Sequence, residues 1–64
     1  MPKRYTAGEL VKIVKKDGWF FVKQEGSHAK YHHQAKKGSV TIPIHKGTIK
    51  PMVANSILKQ AGLK

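Results

Sequence analysis

No cysteine occurs among the 64 residues of the chain, and only three residues are acidic. The first absence excludes a disulfide framework and any thiolate metal site, which suits a reducing cytoplasm. Long apolar runs are missing as well. None approaches the ~18 residues of a membrane span, and Met1-Pro2-Lys3-Arg4 lacks the apolar stretch of a signal peptide. No repeat or low-complexity segment divides the sequence. The scarcity of acid leaves 13 Lys and Arg largely unbalanced, a net charge of +10. Such a field draws polyanions and holds copies of the chain apart. Nucleic acid is the first partner it implies and an acidic protein the second, with an anionic membrane surface a distant third.

What is present suffices for a single domain over residues 1–64. Apolar residues make up 39% of the chain, which supports a globular core. The first element is a helix with a defined start, because Thr6-Ala7-Gly8-Glu9 is a capping box. Ala7, Leu10, Val11 and Val14 recur at helical spacing, and Asp17-Gly18 stops the run. Trp19 to Gln24 is rich in aromatic and β-branched residues and predicts a strand, with Trp19 and Phe21 in the core.

Glu25-Gly26-Ser27 turns the chain into a second strand, His28 to His33. Alternation there puts His28, Lys30 and His32 on one face, and Ala29, Tyr31 and His33 on the other. Ala35 to Gly38 forms a connection, and Val40, Ile42 and Ile44 mark a third strand whose Pro43 belongs at an edge. His45 to Lys50 reads as a loop. A last helix starts near Pro51, buries Ala54, Ile57, Leu58 and Ala61, and ends at Gly62. The expected fold is α+β, an α-β-β-β-α two-layer sandwich with both helices on one face of a three-stranded antiparallel sheet. The other face stays open.

Four histidines raise the question of metal. His28 and His32 share a face, but four strand residues separate them by ~13 Å, too far for one ion to bridge. His45 with another histidine is geometrically possible, yet no cysteine and few acids remain to complete a site. A serine-histidine-acid triad fails similarly, because the side chains of Ser27 and His28 diverge and no third residue orients the ring. RNA cleavage needs less: the 2′-hydroxyl of the substrate attacks, and the protein supplies a base, an acid and positive charge. His28 suits that chemistry, although a lone strand histidine is also an ordinary exposed residue.

Gly18-Trp19, Lys23, Gly26-Ser27-His28-Ala29-Lys30-Tyr31, Ile42-Pro43-Ile44-His45 and Ser56-Ile57-Leu58-Lys59-Gln60-Ala61-Gly62 occur in that order. Together they resemble the HicA family of toxins over nearly the whole chain. Two positions depart from the family pattern. Lys23 stands where arginine is usual and lacks the bidentate fork, and Pro51-Met52-Val53-Ala54 replaces a Gly-Thr-Leu-like opening of the last helix.

The resemblance implies a double-stranded-RNA-binding-domain-like fold and an endoribonuclease that cuts mRNA. It also implies neutralisation by an acidic HicB-type antitoxin protein, and it maps the family's catalytic histidine onto His28. The expected substrate contacts are Lys23, Ser27, Lys30, Lys36 and Lys37, with no metal, no small-molecule cofactor and no membrane involved. A non-catalytic RNA-binding module is the alternative that the fold and charge also suit.

Overall fold

The computed structural model describes residues 4–44 and 46–64. Its elements are β1 (Tyr5–Thr6), α1 (Ala7–Lys16), β2 (Phe20–Glu25), β3 (His28–His32), β4 (Val40–Pro43), β5 (Thr48–Ile49) and α2 (Pro51–Gln60). Strands β2, β3 and β4 form an antiparallel sheet with β3 in the centre. Both helices pack against β4, so the architecture is the expected α+β sandwich. Among the described residues no helix is long and apolar enough to cross a membrane.

The capping box at α1 is complete. The Glu9 N–H donates to Thr6 Oγ1 at 3.2 Å, and the Thr6 N–H donates to Glu9 Oε1 at 2.9 Å. Both helices end in the same way. Trp19 N–H donates to Val14 O and Gly18 N–H to Lys15 O; Leu63 N–H donates to Leu58 O and Gly62 N–H to Lys59 O. These paired bonds are Schellman closures, which need a glycine in a left-handed conformation just past the last turn. Gly18 and Gly62 meet that need with φ of 107° and 74°.

Leu10 and Val14 of α1, Ala54, Ile57 and Leu58 of α2, and Ala29, Tyr31, Val40 and Ile42 of the sheet make one core with Trp19. The period-two reading therefore holds from His28 to His32 in β3 and from Val40 to Pro43 in β4, and Tyr31 is a core residue. Phe21 is not. It is half exposed, because the helices lie over the β4 side and leave β2 exposed along its whole length. Phe21 only makes a T-shaped ring contact with Tyr31, its cross-strand partner.

Four boundaries differ from the sequence reading, the simplest being that β4 ends at Pro43 and leaves Ile44 outside the strand. The first sheet strand begins at Phe20 and takes in Glu25, so the β2–β3 loop is Gly26-Ser27 alone. The second strand ends at His32, and His33 leaves the sheet. The segment expected as a loop contains β5, which pairs with β1 in a two-stranded ribbon through Tyr5↔Ile49 and Thr6↔Thr48. Such short strands owe their pairing to tertiary approach and have no readable period.

Candidate nucleic-acid interface

His28 is placed by a tight turn. Gly26 has φ of 60° while Ser27 keeps a negative φ, the pattern of a type II′ hairpin with glycine first. The Gln24 side-chain amide donates to Gly26 O at 3.0 Å, and Ile44 N–H donates to Ser27 O at 2.5 Å. The turn is thus held from both sides, and His28 opens the central strand with its side chain exposed.

Directly opposed residues of antiparallel strands share a face. His28 stands between Glu25 and Pro43, Lys30 between Lys23 and Thr41, and His32 opposite Phe20. Ala29 and Tyr31 point into the core, so these groups form successive rows on the open face. The rows lie about 7 Å apart, two strand residues each.

The Lys23–Lys30 row is costly for the fold. Like charges directly opposite each other across a sheet repel, and this pair sits in a chain that already carries +10. Lys23 relieves part of the repulsion by turning to Glu25, with Nζ 3.0 Å from Oε1. Lys23, and more weakly Lys30, hold the Glu25 carboxyl below its ordinary range. Both partners are well exposed, so water and salt keep the ion pair weak. An incoming anion can replace Glu25 on Lys23 at little cost.

The expected contacts separate into two groups. His28, Lys23 and Lys30 come together on the open face, and Ser27 adjoins them at the exposed turn. Lys36 and Lys37 lie beyond the far end of β3. Lys37 is exposed, whereas Lys36 is drawn inward. Its Nζ lies 2.5 Å from Asp17 Oδ2 and 2.9 Å from Ala61 O. Asp17 and Ala61 cap the C-termini of α1 and α2, so one cation serves the negative ends of both helices.

Asp17 is the hub of that clasp. Its Oδ2 also accepts from Trp19 Nε1 at 3.2 Å, and its carbonyl lies 2.8 Å from His33 Nε2. His33 Nδ1 accepts the N–H groups of Ala35 and Lys36, so its proton sits on Nε2 and is donated to Asp17 O. The hydrogen bond and charge of Lys36 hold the Asp17 carboxyl below its ordinary range.

A carboxyl with a lowered folded value supports the fold above the ordinary aspartate range, near pH 4. That support fades as the pH falls through the lower folded value. Acid unfolding followed by circular dichroism is therefore expected to begin near pH 4, and Asp17→Asn to flatten this acid limb. Lys36→Met is expected to lower the melting temperature by several degrees, and Lys37→Met to leave it unchanged.

Among the described residues no three histidine or acidic side chains gather into a metal-holding group. The arrangement involving His45, and the His45 end of the Ile42-Pro43-Ile44-His45 block, lie outside those residues. Glu25, Phe20 and His33 escaped the sequence reading. A two-residue turn at Gly26-Ser27 would have revealed the first by setting Glu25 opposite His28.

The profile of a family described as HicA toxin of bacterial toxin-antitoxin matches residues 7–63. A solved structure, a toxin-antitoxin complex from Streptococcus pneumoniae, contains a chain 34% identical in sequence, with a TM-score of 0.77. The match covers 91% of this chain and 97% of that one. No curated protein sequence matches significantly.

Proposed function

The chain belongs to the HicA toxin family of bacterial toxin–antitoxin systems, and from that membership we propose that it is an endoribonuclease. In this reading it cuts mRNA without a metal ion and is silenced by an acidic HicB-type antitoxin. One observation carries the proposal: His28 lies one row from the facing pair Lys23 and Lys30 on the open side of the sheet. A proton acceptor beside two facing cations is what transesterification of RNA asks of a protein.

His28 takes the proton of the 2′-hydroxyl, and O2′ forms a bond to the neighbouring phosphorus. Lys23 leaves Glu25 for the phosphate and, with Lys30, offsets the charge that builds on the phosphoryl oxygens. The bond from phosphorus to the 5′-oxygen then breaks, and in this reading Lys30 protonates the departing oxygen. Ser27, at the exposed turn, is a hydrogen-bond donor for the same phosphate. The products are a 2′,3′-cyclic phosphate and a 5′-hydroxyl. The antitoxin, being acidic, competes for the same lysines.

Purified toxin incubated with an end-labelled transcript in chelator is expected to give fragments with those ends. Adding the antitoxin is expected to stop their formation. RNA retained on the protein but never cut would instead favour the binding-module reading.

A further inference from the structure

Phe20 is 47% exposed and belongs neither to the hydrophobic core nor to the side chains packed against it. It begins β2 on the open face, directly opposite the half-buried His32 and beyond the Lys23–Lys30 row. Phe21 is as exposed but faces the other way, where its ring makes a T-shaped contact with Tyr31 at 5.8 Å between centroids. Among the described residues Phe20 makes no aromatic contact. A phenyl group half in water forgoes part of the stabilisation that full burial would give it.

We propose that Phe20, with His32 beside it, is a stacking platform for an unpaired base of single-stranded RNA, one that does not adjoin the scissile phosphate. The assignment rests on the reading of the open face as the RNA-cutting face. From the His28 row to the Phe20–His32 row is about 13 Å along the strand, with the two lysines halfway between. An RNA backbone running along β3 from His28 passes over the lysines and delivers a later base onto the rings. Cations tracking a backbone, followed by an aromatic side chain for a base, are the parts from which single-strand sites are built. A duplex hides the faces of its bases and presents sugar and phosphate edges, so this platform favours unpaired RNA.

The test uses the full chain carrying His28→Ala, so that binding is read without cleavage. A fluorescent single-stranded RNA oligonucleotide of mixed sequence is titrated and followed by anisotropy. Adding Phe20→Ala is expected to weaken binding about 5- to 150-fold, the range of one lost base stack. Phe20→Trp restores it, and Phe21→Ala leaves it unchanged. An abasic nucleotide at one position reproduces the loss in the parent and adds nothing to Phe20→Ala.

Unchanged binding in Phe20→Ala, an equal loss in Phe21→Ala, or no measurable RNA binding by the parent overturns the platform. So does a Phe20→Ala effect confined to association with the antitoxin. The two readings fail separately. RNA cut by the unmodified chain with no dependence on Phe20 removes the platform alone, and Phe20-dependent binding without any cleavage removes the nuclease alone.

Discussion

A His28→Ala variant is expected to fold like the parent and to cleave RNA about 10²- to 10⁴-fold more slowly, the usual contribution of a positioned acid–base group. The fold should be indifferent because His28 is exposed and the turn before it is held by backbone carbonyls, Gly26 O and Ser27 O. Matching circular dichroism melts with a collapsed cleavage rate would assign the loss to chemistry. The lysines should behave differently. Lys30→Ala removes positive charge from the phosphate site and is expected to reduce both binding and rate. Glu25→Gln frees Lys23 and is expected to tighten RNA binding modestly, since the ion pair it breaks is exposed and weak.

The largest loss of stability is expected from Gly18→Ala. Gly18 has φ of 107°, where an L side chain is strained, and an added Cβ would lie 2.7 Å from His33 Nε2. That ring cannot swing away cheaply, because it is tied to Asp17 O and to the N–H groups of Ala35 and Lys36. Backbone strain of about 1–2 kcal/mol and a packing conflict of about 1–3 kcal/mol act together. A chain of this length has roughly 3–10 kcal/mol to lose. Urea titration should therefore show Gly18→Ala less stable by about 2–5 kcal/mol, with its midpoint far below that of the parent. Gly8→Ala is the internal contrast. It lies inside α1, its nearest neighbour for a Cβ is Thr6 Oγ1 at 4.0 Å, and alanine there is expected to add about 0.5 kcal/mol.

Gly18 also shows why some of the fold was legible. Asp17-Gly18 reads as a helix stop because the left-handed closure is local chemistry, as is the Thr6–Glu9 box. The face of His28 was equally legible, since strand alternation with Ala29 and Tyr31 leaves it no other side. Lys36 reads as one more solvated or phosphate-binding lysine until both helices end at the same place, 19 and 25 residues away in sequence at Asp17 and Ala61. Phe21 reads as core because it sits in an aromatic, β-branched run beside Trp19. Its exposure follows from where the helices lie, which no residue within β2 encodes. Glu25 was hidden by a single residue of turn length. That residue decides whether the carboxylate joins the sheet opposite His28 and takes Lys23, or stays in a loop.

Attack by the substrate's own 2′-hydroxyl is the claim on which the roles of His28, Lys23 and Lys30 depend. The most direct measurement maps one cut site in a short RNA and then replaces the single 2′-hydroxyl at that site by hydrogen, with chelator present throughout. The account predicts that cleavage at that bond disappears while other susceptible bonds in the same strand are still cut. Cleavage at the deoxy position at an undiminished rate would mean that water is the nucleophile, and would contradict the mechanism.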